Sequence, residues 1–162
     1  MEFTEFYRSE RDRCLRAVLA GVADRQVAED LVAEAFTRAW MSWHKVRRHP
    51  APRAWVVRTA LNLRVSWWRR HRREVDLGDG PVDTADGTGE PGGGLDPALL
   101  RLLRALPPRQ REVIAFRVFL DLDTAATAKA LGMAPGTVTA HLSRAIATLR
   151  GHLVVNHSQE QS

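Results

Sequence analysis

The stretch R-T-A-L-N-L-R-V-S-W-W-R-R-H-R-R, Arg58 to Arg73, holds six arginines, one asparagine, one serine and two adjacent tryptophans. A guanidinium binds phosphate oxygens through paired hydrogen bonds, and an amide both donates and accepts at a base edge. At 100° per residue, Val56, Ala60, Leu63 and Trp67 fall within about 60° of one another and form an inward face. Arg58, Asn62, Ser66, Arg69 and Arg73 fall together on the other side, with no acid among them. Trp68 lies on the flank with Val57 and Leu61. A solvated helix face usually mixes signs to gain i,i+4 pairs. An acid-free stripe of Arg, Asn and Ser suits phosphates and bases. A plain basic surface is the competing reading, and periodicity does not separate the two.

A second set of candidates lies near the C-terminus. Asp123 is placed to cap a short helix, Thr124 to Leu131, and Gly132 stands where a left-handed C-terminal residue belongs. Met133-Ala134-Pro135 turns the chain into a final helix to about Leu153. Short helix, glycine turn and longer helix make a helix-turn-helix pattern. Ala125, Ala128, Leu131, Val138 and Leu142 are its expected core. Thr137, Thr139, Ala140, His141 and Arg144 lie on the early part of the second helix, the part that reads a major groove. Helical hairpins without DNA function share this periodicity.

The elements that must position these residues are helical throughout. Glu2 to Ala20 carries Phe3, Phe6, Tyr7, Cys14, Leu15 and Val18 at helical spacing. Asp24 is placed to cap a helix to about Trp43, with an apolar stripe of Val27, Leu31, Ala35, Phe36, Ala39 and Trp40. His49-Pro50-Ala51-Pro52 interrupts, and a third helix runs from Pro52 to about Arg72. Asp96-Pro97 opens a helix to about Leu106, and Pro107-Pro108 starts another, Arg109 to Phe119. Glu74 to Leu95 has seven Gly and two Pro in 22 residues and no apolar periodicity, which predicts a flexible linker. The expectation is an all-α chain of two small helical domains, 1–73 and 96–155, joined by the acidic linker 74–95, with a tail at 156–162.

Charge follows the same division. Residues 1–73 carry 16 Lys/Arg against 8 Asp/Glu, residues 74–100 carry seven acids and no base, and residues 101–162 carry 8 against 4. Two basic blocks around an acidic spacer suit two contacts with a polyanion. The chain has 162 residues, 44% hydrophobic, which is enough for packed cores. The apolar run Ala17–Ala23 is far short of a membrane span, and the charged N-terminus is unlike a signal peptide. Cys14 is the one cysteine, so no internal disulfide forms. A cytoplasmic protein without direct membrane contact is expected. The six His show no metal-ligand spacing and the densest acids lie in the linker, so no metal, cofactor or catalytic residue is assigned and an enzyme is not expected.

Several motifs in order carry a resemblance. Ala28-Glu29-Asp30-Leu31-Val32-Ala33-Glu34-Ala35-Phe36-Thr37-Arg38-Ala39-Trp40 resembles the polymerase-docking helix of bacterial sigma factors. Pro52-Arg53-Ala54-Trp55, Asn62 and Trp67-Trp68-Arg69-Arg70 resemble their promoter-melting helix. Leu106-Pro107-Pro108-Arg109-Gln110-Arg111-Glu112-Val113, with Ala130-Leu131-Gly132 and Pro135-Gly136-Thr137-Val138, resembles their fourth conserved region. Order and spacing are similar to the extracytoplasmic-function (ECF) group of the sigma-70 family.

The resemblance implies a factor that binds core RNA polymerase and directs promoter-specific initiation. Asp30, Glu34 and Arg38 would dock on the beta-prime clamp, and the C-terminal unit would meet the beta flap. Asn62 and Ser66 would read flipped bases of the −10 element, with Arg64, Arg69, Arg70, Arg72 and Arg73 on phosphates. Residues 44–53 would receive an unstacked base. Thr137, Thr139, Ala140, His141 and Arg144 would read the −35 element. The acidic linker would thread the RNA path of the polymerase. Many members also bind an anti-sigma factor.

This chain departs from the family at Ala33, where Gln is frequent, and at Ala126, where Glu is usual. Ala134 stands where a Ser cap is common, and Thr139 and His141 where cations are common. Two rivals are a stand-alone helix-turn-helix regulator, separated by binding to core polymerase, and a nucleic-acid enzyme, separated by metal-dependent DNA cleavage.

Overall fold

The computed structural model describes residues 1–76 and 94–160. Every element among them is helical. Helix α1 spans Phe3–Val22 and α2 spans Arg25–Met41. Ala23 closes α1 in the left-handed region, φ 57°, with its N–H on the Leu19 carbonyl. Asp24 then caps α2, its Oδ1 accepting from the Val27 N–H at 3.1 Å, which satisfies one of the otherwise unpaired first-turn donors.

The second helix was expected to reach Trp43; it stops at Met41, and Trp43–Val46 forms the separate turn α3. Pro52 opens α4 (Pro52–Asn62), where its missing N–H has no partner to lose. The helix expected to run unbroken from Pro52 to Arg72 is hitched at Leu63 and continues as α5 (Arg64–Asp76). The Leu63 N–H is shared between the Thr59 and Ala60 carbonyls, both at 3.1 Å, so the last turn of α4 tightens before the chain resumes.

Most of the expected inward residues of α1, α2, α4 and α5 face inward; of the α1 set, Phe3 is half-buried and Tyr7 exposed. Cys14, Val18, Val27, Leu31, Ala35, Phe36, Val56, Ala60, Leu63 and Trp67 are buried. Phe6, Tyr7, Phe36 and Trp43 form an aromatic group with centroid separations of 5.1 to 5.9 Å, a range that favours tilted and edge contacts. Trp40 was expected in the α2 stripe and is instead 62% exposed. It lies roughly 120° round from the centre of the buried arc, beyond the reach of the core.

In the C-terminal half, Asp96 Oδ1 accepts from the Ala98 N–H at 2.7 Å and Pro97 opens α6 (Pro97–Arg104). Helix α7 (Pro108–Ile114) runs on into a π-helical turn, Ala115–Phe119. Asp123 caps α8 (Thr124–Leu131) by accepting from the Ala126 N–H at 2.7 Å. Gly132, at φ 64°, ends α8 as anticipated. Helix α9 runs from Pro135 to Glu160, past Leu153 and through part of the span assigned as a tail. Val113, Ala128 and Val138 are buried together, with Leu131 and Leu142 partly covered against them. Ala125, expected in that core, is exposed, and the fully buried side chain of that helix is Thr127.

The two expected helical domains, 1–73 and 96–155, pack on each other. Helix α1 lies along α7 and the π turn, and α4 meets α8. Leu103, Leu106, Ile114, Ala115, Phe116 and Leu120 belong to the same apolar cluster as the α1, α2 and α4 core. Of the expected linker 74–95, Glu74 to Asp76 complete α5 and Leu95 packs against the shared core. Residues 77–93 lie outside the described residues.

Candidate nucleic-acid interface

Trp67 holds α5 in place. Its indole Nε1 donates to Asp30 Oδ2 at 3.1 Å, and its ring stacks on His71 with centroids 3.5 Å apart and planes within 13°. Trp68 meets it edge-on at 5.0 Å and remains 47% exposed. This anchor turns the polar face outward. Arg58, Asn62, Ser66, Arg69, Arg70, Arg72 and Arg73 are all exposed, so the structure brings the acid-free stripe together on one surface of α4 and α5.

Arg64 departs from that set. It is half-buried, and its guanidinium pairs with Glu112 of α7 at 3.2 Å. Arg70 is also engaged, bonding Glu34 Oε2 at 3.0 Å. That bond comes first among the causes that hold the Glu34 carboxyl below the usual carboxylate range, and Arg38, at 3.3 Å, adds to it. Asp30 accepts from Gln26 Nε2 as well as from Trp67. Asp30 and Glu34 are therefore bound to the basic helix beside them, whereas Glu29 pairs with Arg25 of its own helix.

At the end of α2 a pocket of about 510 Å³ opens beside Asn62. Arg38, Met41 and Ser42 form one side; Trp55, Thr59, Asn62 and Leu63 form the other. An indole and apolar walls offer stacking, while an amide, two hydroxyls and a guanidinium offer edge hydrogen bonds. Those are the two contacts that offset the cost of unstacking a base. Trp55 stood in the motif that resembles the promoter-melting helix, whereas Thr59, Met41 and Ser42 were not singled out from the sequence. The signal lay in the break after Met41, which folds Ser42 toward α4 and leaves a gap against Trp55.

The C-terminal candidates lie on the first turns of α9. Thr137, Thr139 and Arg144 are exposed; Ala140 and His141 are half-buried. The Thr139 hydroxyl donates to the Pro135 carbonyl at 3.2 Å, and the His141 Nδ1 is buried without a hydrogen-bond partner. No side-chain grouping that could hold a metal occurs among the described residues, nor a helix long and apolar enough to cross a membrane.

Two family models match the two halves: Sigma-70 region 2 over residues 6–74, and Sigma-70, region 4, over residues 97–149. The chain is 36% identical over 159 residues to the RNA polymerase sigma-E factor of Streptomyces coelicolor, covering 95% of this chain and 87% of that protein. The chain belongs to the sigma-70 family of RNA polymerase sigma factors, ECF group. This sigma factor directs promoter-specific transcription initiation. It is also 36% identical to the sigma-E factor of Streptomyces avermitilis, covering 94% of this chain and 86% of that one. Its fold is similar to that of the sigma factor RpoE of Bartonella quintana, solved with the anti-sigma factor NepR. The TM-score is 0.76 at 24% identity, over 94% of this chain and 97% of that one. It is also similar to CnrH, solved with the cytosolic domain of CnrY, with a TM-score of 0.65 at 20% identity, over 94% and 88%.

Proposed function

We propose that the opened −10 strand lies along α4 and α5, with one unstacked base in the pocket beside Asn62. The observation that carries this reading is the pocket itself, where Trp55 and Asn62 share one opening on the basic face. Asn62 reads the base edge, Ser66 reads a neighbour one turn on, and Arg64, Arg69, Arg70, Arg72 and Arg73 hold phosphates. Arg38 reaches the pocket from α2 and serves the base as well as the docking surface.

Helix α2 is the docking helix for core polymerase. Asp30 and Glu34 meet cations of the beta-prime clamp, and the exposed Trp40 and Met41 supply apolar area beside them. Helices α8 and α9 form the helix-turn-helix that reads the −35 element through Thr137, Thr139, Ala140, His141 and Arg144, while the C-terminal unit meets the beta flap. An anti-sigma factor is a further partner, supported by the similar fold of the Bartonella quintana sigma factor RpoE, which was solved with one.

The test is transcription by core polymerase on genomic DNA with the purified chain, reading the transcript starts. New discrete starts are expected with the wild type, together with −10 and −35 preferences. Asn62→Ala should remove most promoter opening, read by permanganate reactivity of unpaired thymines, while helical content is unchanged. Normal opening by that variant would overturn the pocket assignment. Absence of both new starts and comigration with core would favour a stand-alone DNA-binding regulator.

A further inference from the structure

His141 stands on α9 between the side that packs and the side that reads. Measured round the helix from Thr137 at 100° per residue, Arg144 lies at about −20°, His141 at about +40°, Ala145 at about +80° and Val138 at about +100°. Ala145 and Val138 are fully buried, whereas Thr137 and Arg144 are exposed. His141 is half-buried, which suits a side chain on that boundary.

Its two ring nitrogens lie in different surroundings. Nδ1 is buried and has no hydrogen-bond partner. Nε2 is held by no hydrogen bond within the chain either, yet it is not buried, so it is the nitrogen that opens to solvent. A neutral imidazole carries one N–H, and its other nitrogen is bare. A buried N–H without an acceptor is rarer in folded chains than a buried acceptor without a donor. The proton is therefore assigned to Nε2 from the surroundings of the two nitrogens, and water satisfies it in the free chain.

That tautomer decides what the side chain can read. With Nε2–H outward, His141 donates and offers no acceptor. In a major groove, adenine sets a donor beside its N7, thymine sets a methyl group beside its O4, and cytosine shows a donor. Guanine shows two adjacent acceptors, N7 and O6. A lone donor gains most at guanine and meets another donor at cytosine. The neighbours frame the contact. Thr137 lies one turn before His141 and Arg144 one turn after it. The rise from Thr137 to Arg144 is about 10 Å, or about three base steps of 3.4 Å.

We propose that His141 is a specificity-determining residue of α9, donating from Nε2 to the N7–O6 edge of one guanine in the −35 element. The proposal rests on α8 and α9 being the −35 reader.

The test uses core RNA polymerase with the full chain, on duplex promoter DNA taken from the mapped transcript starts. Each −35 base pair is varied in turn, and transcript yield is read for wild type, His141→Ala and His141→Lys. With the wild type, one G·C pair should be preferred by about three- to tenfold, the effect of one neutral hydrogen bond. His141→Ala should lose the preference at that pair and keep the others. His141→Lys, a donor without an acceptor, should retain it. A duplex with 7-deazaguanine at the same position has a C–H in place of N7. The wild type should fall about twofold or more on it, and His141→Ala should be indifferent, because both changes remove the same contact. The modified base leaves the protein untouched, so it decides even if the alanine variant fails to fold.

A preference profile that His141→Ala leaves intact would remove His141 as a reader and leave −35 reading standing. Relaxation at an A·T pair, or a wild type that reads 7-deazaguanine as well as guanine, would overturn the guanine contact. Loss of the preference in His141→Lys as well would show that the shape of the ring is read and not its proton. A wild type that starts transcription with no preference at any −35 base pair would remove the −35 reading on which the proposal rests.

Discussion

Trp67 shows how much one residue carries in this chain. Its position on the inward face of α5 was legible from spacing alone, and it is 7% exposed. Its hydrogen bond to Asp30 was not legible, because the partner lies 37 residues away on another helix. Trp67→Phe keeps most of the packing and removes the indole donor. It should cost about 1–3 kcal/mol, a buried bond to a charged acceptor, and the urea midpoint measures it. Cys14 makes a different point. It is fully buried, and burial first, then the Glu10 carboxylate, pushes its thiol up to about 12. The folded chain keeps this proton to about pH 12, while the unfolded chain releases it near the ordinary value of 9.0. Folding stability is therefore undiminished below about pH 9 and falls as pH rises from there, by up to about 1.4 kcal/mol per unit. Urea midpoints of wild type and Cys14→Ala between pH 8 and 10.5 should converge with that slope; parallel profiles would show that the thiol ionises freely in the folded chain.

At the scale of elements, the chain is most legible where a helix begins or ends. Asp24, Asp96, Asp123 and Gly132 take the capping roles their types predict. These are local devices, decided within four residues of sequence. Trp40 and Ala125 were placed wrongly because an apolar side chain at the edge of a helical arc is buried only if a neighbour covers it. Neighbours are a property of the fold. The pocket beside Asn62 was missed for the same reason, since it is assembled from α2 and α4. The start of α9 is among those without a side-chain cap: Ala134 precedes it with its carbonyl engaged, accepting from the Thr137 and Val138 N–H groups at 3.0 and 3.2 Å. Ala134→Ser supplies a side-chain acceptor and should add about 1 kcal/mol, which raises the midpoint by about 2–4 °C at this chain length. Calorimetry checks it; no change would mean that the start of α9 has no open donor for the hydroxyl.

For the molecule as a whole, the unexpected feature is that the two halves share one core. The acidic, glycine-rich segment 74–95 reads as a divider in the sequence, and charge patterning supports two units. Nothing local shows that Leu103, Leu106, Ile114 and Phe116 continue the cluster built by α1, α2 and α4. Periodicity reports that a face is apolar, not which helix covers it. The packing has a thermodynamic consequence. If the halves were held only by their covalent connection, each would melt at its own temperature. Because they bury apolar surface and an ion pair against one another, unfolding either exposes the other, and the two should melt together as one transition. The calorimetric and van't Hoff enthalpies of the wild type should then agree. Phe116→Ala removes a fully buried ring from the shared cluster and should cost about 3–5 kcal/mol. Although Phe116 lies in the C-terminal half, this loss should lower the melting of both halves, read by near-ultraviolet dichroism of the five tryptophans, all of which precede residue 70. If the tryptophan signal kept its wild-type midpoint while total helical signal fell earlier, the halves would be independent, and the shared core would contribute contact without cooperativity.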